Sequence, residues 1–189
     1  MKKDKTLLEL CLEHRFTTDK YYESGKTHSY IDNLYEELFS PIRNTATNVL
    51  EIGICSGGSI SLWSEYFPNA TITGVDLFSC GQSFPNKKVV QIIANAYGKS
   101  VSNFLTDDCF DVIIDDGSHK LEDIKTFLSN YIPKLKKENG VLIVEDIQDV
   151  SWITQLQDFI PEHLHNKTYV EDLREKDNRY DSLVLFIKT

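Results

Sequence analysis

The sequence is poor in several features that mark particular classes of protein. Its 20 lysines and arginines are outnumbered by 29 aspartates and glutamates, which gives a formal net charge of -9. Proteins that hold nucleic acid through its phosphates need a basic face, so this balance argues against nucleic-acid binding. The four cysteines form no C-x-x-C pair and no zinc-type spacing. This pattern predicts reduced thiols, because the sequence lacks the usual signs of a disulfide framework or a zinc site.

Long apolar runs are also missing. No stretch approaches the ~20 apolar residues of a membrane span. The first residues are basic and then leucine-rich, but Glu9 and Glu13 interrupt the apolar run and no small-residue cleavage site follows. We therefore expect no signal peptide, no membrane partner and a cytoplasmic location. The 189 residues, 41% hydrophobic and 26% charged, predict a single domain spanning residues 1–189.

The best-defined motif lies between Asn48 and Asp76. It predicts a strand ending near Gly53, a small-residue loop through Gly57, a helix over 60–67 and a second strand that ends on Asp76. This is a βαβ unit. Its glycines let the backbone approach a ligand, its helix N-terminus offers unpaired N–H groups, and its terminal acid is placed to accept hydrogen bonds from ribose hydroxyls. The motif therefore predicts a nucleotide-type ligand at the first turn.

The spacing of the loop separates two classes of ligand. A dinucleotide site uses G-x-G-x-x-G, whereas this loop reads Gly53-x-x-x-Gly57-Gly58. Glu51, two residues before the first glycine, suits a ligand with a positive centre better than one with two phosphates. S-adenosylmethionine, which carries a sulfonium and an ammonium group, is such a ligand. The E-x-G-x-x-x-G-G stretch resembles the first motif of the class I S-adenosylmethionine methyltransferases; the alternative is a βαβ unit whose glycines serve packing alone.

Strand and helix patterns alternate along the rest of the chain. The predicted strands are 49–54, 71–75, 89–93, 110–114, 141–144, 168–173 and 183–187, and the predicted helices between them are 60–67, 95–105, 120–135 and 151–160. The last two strands are joined by a charged hairpin-like loop, 174–181, so one of them must run antiparallel. We therefore predict an α/β fold: a Rossmann-like, seven-stranded, mostly parallel sheet with helices on both faces, as in class I methyltransferases.

The first 45 residues are predicted to form N-terminal helices over 4–14 and 29–39. Between them, residues 17–30 are polar and aromatic and have no regular period. This segment is either a surface loop or a lid over the cofactor.

Two acidic clusters follow neighbouring predicted strands. Asp115 to His119 (DDGSH) follows the fourth strand, and Glu145 and Asp146 follow the fifth. Ligands of open α/β sheets bind outside the carboxyl ends of the strands, so both clusters are expected beside the glycine loop. Four carboxylates there repel one another unless a cation such as Mg²⁺ lies among them. The alternative is that Asp116-Gly117 is a plain turn and that Asp146 or Asp149 caps the predicted helix that begins at Ser151.

Three spaced segments carry a closer resemblance. Thr18-Asp19-Lys20, the DDGSH cluster and the segment Val144 to Ile147 (VEDI) are similar to the metal-dependent macrolide sugar O-methyltransferases of the mycinamicin and demethylmacrocin type and to the related cephalosporin hydroxylase family. The resemblance covers residues 17 to 150. It implies Mg²⁺ bound by Asp116, Glu145 and Asp146, with His119 as the general base. We predict S-adenosylmethionine contacts for Lys20, Glu51, Gly53, Gly57, Ser59, Asp76, Asn95 and Asp115.

The function predicted from these residues is Mg²⁺-dependent transfer of a methyl group from S-adenosylmethionine to a hydroxyl of a sugar or glycoside with neighbouring hydroxyls. A catechol-like acceptor offers the same two adjacent hydroxyls and stays open as an alternative. The sequence also leaves open a non-catalytic S-adenosylmethionine-binding partner subunit and a nucleotide-binding oxidoreductase, although the missing G-x-G-x-x-G disfavours the oxidoreductase. A homo-oligomer in which a neighbouring subunit completes the acceptor site is a further possibility.

Overall fold

A computed structural model describes residues 4–21, 30–84 and 88–189. In these ranges seven strands form one sheet: β1 (Asn48–Ile52), β2 (Thr71–Asp76), β3 (Val89–Ile93), β4 (Val112–Asp115), β5 (Val141–Val144), β6 (Thr168–Asp172) and β7 (Leu183–Lys188). Their order is β3-β2-β1-β4-β5-β7-β6. Strand β7 pairs antiparallel with both β5 and β6, and the other pairs are parallel. The predicted seven-stranded, mostly parallel, Rossmann-like α/β fold is confirmed.

The helices connect these strands. They are α1 (Leu7–His14), α2 (Glu36–Phe39), α3 (Gly58–Tyr66), α4 (Lys99–Phe104), α5 (Leu121–Tyr131), α6 (Trp152–Gln157) and α7 (Arg174–Asp177). A π-helical turn, Ile31–Tyr35, leads into α2, and 3-10 turns occupy Ile132–Lys134 and Glu162–Lys167. Within the described ranges, no helix combines the length and the apolar character that crossing a membrane requires.

Several predicted boundaries were wrong for local reasons. Helix α4 begins at Lys99, four residues later than predicted, because the Asn95 side chain accepts a hydrogen bond from the Tyr97 amide and holds a turn there. The helix predicted to reach residue 135 ends its α-helical part at Tyr131, and Pro133 lies in the 3-10 turn that follows. The predicted loop 174–181 contains α7.

The N-terminal predictions are described only in part. Helix α1 is present and begins with a capping box, in which Thr6 and Glu9 exchange side-chain and backbone hydrogen bonds. Of the predicted lid, residues 22–29 lie outside the described residues, so the lid stays a prediction. The single-domain extent 1–189 stays a prediction as well.

The core has two layers because successive strand residues point to opposite faces of the sheet. On β4, Val112 and Ile114 face the cluster that contains Trp63 of α3, whereas Ile113 faces the cluster that contains Phe127 of α5. All four β4 residues are buried. A strand covered on both faces reads as a continuous apolar run, as Val112 to Ile114 do before the terminal Asp115.

The sheet order places a crevice beside β1. From β1 the chain proceeds to β2 and β3 on one side and then crosses to β4 on the other. The pairing Ile52↔Asp115 joins β1 to β4, and Asp115↔Val144 joins β4 to β5. The residues that follow these three strands therefore lie side by side at the point where ligands of open α/β sheets bind.

Candidate functional site

A cavity of about 840 Å³ opens at this crevice. One wall comes from the glycine loop and the end of β2, and the opposite wall comes from the ends of β4 and β5. The residues that matter for the chemistry are Gly53, Ser59 and Asp76 on the first wall and Asp116, His119 and Asp146 on the second. A smaller cavity of about 300 Å³ adjoins it, shares Gly53 and Asp76, and is also lined by Asn95 and Tyr97.

The glycine loop is held by the acid at the end of β2. The Asp76 carboxylate accepts hydrogen bonds from the amides of Ile54 at 2.9 Å and Cys55 at 3.1 Å. Gly53 has φ 82°, and a Cβ there would lie 1.9 Å from the carbonyl oxygen of Asp116. Only glycine fits such a close approach in the left-handed region, so the loop is fixed tightly against the end of β4.

The acids after β4 and β5 converge. Among the described residues, Asp116, His119 and Asp146 each offer a ligand atom within 4.8 Å of the others. His119 has φ 54° and Asp146 has φ 52°, a left-handed region that residues other than glycine adopt rarely. The left-handed turn at Asp146 directly follows Glu145 and breaks the alternation of side chains that a continuing strand would impose.

The charge and donor types of this group fit a divalent cation. Asp146 accepts hydrogen bonds from the Tyr30 hydroxyl and from Arg179 Nη2, the latter at 3.4 Å. Burial raises the pKa of Asp146; the Tyr30 hydrogen bond opposes this, and the negative charge of Asp116 raises the pKa further. A pair of carboxylates, one of which disfavours the ionised form of the other, is a suitable donor set for a hard cation such as Mg²⁺.

Next to this group, the ammonium group of Lys20 is itself surrounded by carboxylates. Lys20 Nζ lies 2.6 Å from Asp116 Oδ2, 2.8 and 2.9 Å from the two oxygens of Glu145, and 3.5 Å from Glu51 Oε1. The Lys20 side chain is fully buried. Burial lowers the pKa of Lys20, but the charges of the three acids outweigh it and hold the pKa well above its usual range. Glu145 also accepts a hydrogen bond from the Tyr35 hydroxyl.

Comparison with protein families decides the assignment. Residues 50–147, just over half of the chain, match the family described as "Methyltransferase domain". The chain belongs to this family.

Relatives and solved structures resemble this methyltransferase domain over most of its length. It is 32% identical over 127 residues to the 8-demethyl-8-alpha-L-rhamnosyl tetracenomycin-C 2'-O-methyltransferase of Streptomyces olivaceus. The matched region covers 62% of this chain and 33% of that protein. It is 28% identical over 159 residues to the mycinamicin VI 2''-O-methyltransferase of Micromonospora griseorubida, covering 75% and 36%. The chain thus spans about a third of the length of the curated relatives it matches.

The structure of MycE methyltransferase from the mycinamycin biosynthetic pathway, in complex with Mg and SAH, superimposes with a TM-score of 0.72. The sequence identity is 21%, over 98% of this chain and 55% of MycE. At this identity the superposition establishes the fold.

The residues predicted to contact S-adenosylmethionine lie at two depths in the methyltransferase domain, some at the cavity surface and some beneath it. Gly53, Ser59 and Asp76 line the large cavity, and Asn95 lines the small one. Gly57 has φ 84° and caps α3. Lys20, Glu51 and Asp115 are buried beneath the cavity wall.

The two deeper carboxyls have partners inside the fold. Glu51 accepts a hydrogen bond from the Ser59 hydroxyl at 2.7 Å, and Asp115 accepts one from the Tyr97 hydroxyl at 2.8 Å. Burial raises the pKa of each carboxyl to about 7. Glu51, which the sequence analysis expected to suit a ligand with a positive centre, contacts Lys20 and Ser59 in this structure.

Four contacts of the site escaped the sequence reasoning. They involve Tyr30, Tyr35, Tyr97 and Arg179. Tyr30, Tyr35 and Arg179 meet acids that are 116, 110 and 33 positions away along the chain, and Tyr97 meets one 18 positions away. The only sequence signal was the helical period of the segment containing Tyr35, which indicates burial and says nothing about a polar partner.

Proposed function

We propose that the chain is an S-adenosylmethionine-dependent O-methyltransferase that uses Mg²⁺ to methylate a hydroxyl of a sugar or glycoside with neighbouring hydroxyls. The observation that carries the proposal is the single cavity in which the glycine loop faces Asp116, His119 and Asp146. The names of the curated relatives, which are O-methyltransferases of sugar-bearing compounds, favour the same acceptor class.

The donor would lie along the first wall of the cavity. Asp76 combines two tasks in this proposal: it holds the loop amides and accepts hydrogen bonds from the ribose hydroxyls. The small cavity next to Asn95 and Tyr97 suits the adenine of S-adenosylmethionine. The large cavity suits the methionine portion of S-adenosylmethionine and the acceptor. Glu51 and Asp115, being buried, would shape the wall from behind.

The acid cluster would hold the cation. Asp116 and Asp146 would hold it with their carboxylates at the cavity. Glu145, whose two oxygens accept hydrogen bonds from Lys20, would join them only after this contact loosened. Bound Mg²⁺ lowers the pKa of a coordinated hydroxyl and orients it.

His119 would act on the acceptor. Its side chain is 30% exposed and lies at the cavity, with Nδ1 3.9 Å from Asp146 Oδ2. In the proposed step it accepts the hydroxyl proton, the oxygen forms a bond to the methyl carbon, and the carbon–sulfur bond breaks to leave a neutral thioether.

Calorimetric titration with SAH, NAD and Mg²⁺ tests the binding part of the proposal. We expect binding of SAH and Mg²⁺ and none of NAD; NAD binding without SAH binding would refute the methyltransferase assignment for this site. Transfer of a labelled methyl group to a panel of glycosides and catechols, with and without chelator, tests the chemistry. Transfer to catechols alone would replace the sugar acceptor with the catechol alternative.

The base role of His119 is tested by His119→Gln. We expect methyl transfer to fall about 10²-fold or more while Mg²⁺ affinity changes little, because a proton acceptor contributes to the chemical step. A ring nitrogen that ligates the ion cannot accept the proton. A large loss of Mg²⁺ affinity in this variant would therefore make His119 a metal ligand instead.

A further inference from the structure

The ammonium group of Lys20 occupies the interior side of the acid cluster. It contacts carboxylates from three neighbouring strands: Glu51 on β1, Asp116 after β4 and Glu145 after β5. Both oxygens of Glu145 bond to it, and so does Oδ2 of Asp116. Asp116 is also a member of the group that faces the cavity. One carboxylate is therefore shared between a fixed internal cation and the candidate cation site.

We propose that Lys20 is an internal counter-cation that competes with the divalent cation for Asp116 and Glu145 and thereby sets the affinity of the cation site. The inference rests on the proposed function, since it assumes that the cluster takes a divalent cation. Lys20 is a positioning residue in this scheme, because it acts through the two carboxylates and does not touch the reacting atoms.

Charge gives the direction of the effect. Four carboxyl groups gather here, those of Glu51, Asp116, Glu145 and Asp146. Lys20 already lies against the first three of them. A divalent ion on Asp116 stands close to the ammonium group, and like charges in a buried site repel strongly. Lys20 therefore weakens divalent-cation binding and keeps the ion exchangeable, while it holds Asp116 and Glu145 together in the absence of the ion.

A purely structural role for Lys20 predicts the opposite result. Lys20 lies in the segment 17–21, whose Thr17 carbonyl oxygen would be only 1.9 Å from a Cβ placed on Gly58 and accepts a hydrogen bond from Ser56 Oγ at 3.3 Å. If Lys20 only anchored this segment against the glycine loop, its removal would loosen the cavity. Both donor and cation would then bind more weakly.

Mg²⁺ calorimetry on Lys20→Met and Lys20→Arg separates the two roles. Methionine keeps the length and apolar character of the buried stem without the charge, and arginine keeps the charge. We expect Lys20→Met to bind Mg²⁺ about tenfold more tightly or better, and Lys20→Arg to stay within about threefold of the wild type. Unchanged or weaker Mg²⁺ binding by folded Lys20→Met would overturn the inference.

A structure of the wild-type protein soaked with Mn²⁺ provides a measurement that does not depend on a variant's folding. We expect the distance from Lys20 Nζ to Asp116 Oδ2, which is 2.6 Å in this structure, to lengthen beyond hydrogen-bonding range when the ion binds. A bound ion with this contact unchanged would contradict competition.

The two proposals fail in different ways. Wild-type protein that binds neither SAH nor Mg²⁺ refutes the proposed function. Wild-type protein that binds both, while Lys20→Met gains no Mg²⁺ affinity, refutes only the competition by Lys20.

Discussion

The acidic residues at the two ends of strand β4 have opposite electrostatic surroundings. Asp111, just before the strand, accepts hydrogen bonds from the amides of Thr47 and Asn48 at 2.8 and 2.9 Å and from Lys136 Nζ at 2.7 Å. Burial alone would raise its pKa, but the hydrogen bonds from Lys136 and the two amides hold the pKa below its usual range. The ionised form of this carboxylate is therefore satisfied within the fold.

At the other end, Asp116 enters a cluster with a surplus of acid. Glu145 and Asp146 lie beside it, and their described cationic contacts are Lys20, Arg179 and the titratable His119. The pKa of Asp146 is raised, whereas that of Asp111 is lowered. The comparison teaches that the fold favours the ionised form of Asp111 and disfavours that of Asp146, which is the difference expected if the carboxyl end holds a cation, as in the proposed function.

The comparison is tested most strongly by Asp146→Asn. Methyl transfer should fall about 10²-fold or more, because the variant loses a carboxylate of the cation site. In the absence of divalent cations the variant should unfold at the same temperature as the wild type or higher, because a raised carboxyl pKa means that the ionised form is disfavoured by the fold at pH 7. Transfer assays and thermal unfolding measure the two effects. A variant that is both less stable and fully active would contradict the assignment of this end to function.

Gly53→Ala tests how closely the donor loop must approach β4. A Cβ there meets the Asp116 carbonyl oxygen at 1.9 Å, so we expect a loss of stability of roughly 2–5 kcal/mol and about tenfold weaker SAH binding. Gly81→Ala is the matched control: its φ is also positive, at 70°, but nothing lies within 4 Å of its added Cβ. The control should lose only about 1–2 kcal/mol of stability and keep its SAH affinity. Equal effects would mean that the φ angle matters and the close approach does not.

Asp111→Asn should give the smallest effect of the three variants. It should lower stability and leave ligand binding unchanged, the reverse of Asp146→Asn. The free energy of unfolding at pH 7 should fall by roughly 1–3 kcal/mol, because the charged acceptor of two amides and an ammonium group is lost. A lowered folded-state pKa stabilises above the unfolded-state pKa of about 3.9, and this contribution disappears as pH falls through the folded-state value. Denaturant titrations from pH 7 to pH 3 should therefore show the variant and the wild type converging in stability at the acid end. A constant difference would mean that the ionised form of Asp111 is not responsible, and a change in SAH or Mg²⁺ affinity would link the two ends.

The order of elements and the location of the site could be predicted from the sequence because they depend on local patterns. Apolar runs such as Val112 to Ile114 give strands, glycine loops give turns, and parallel strands bring their carboxyl ends to one edge of the sheet. For this reason the sequence alone places Gly53, Asp76, Asp116 and Asp146 in one crevice.

The tertiary structure alone decided which acids have partners inside the fold. Lys20 contacts Asp116 and Glu145, which are 96 and 125 positions away in the sequence. Tyr30 contacts Asp146, which is 116 positions away. Such pairings depend on how segments pack over the sheet, which no period or spacing within a single sequence encodes. The sequence thus determined where the acids gather, and packing determined that a buried lysine already lies among them.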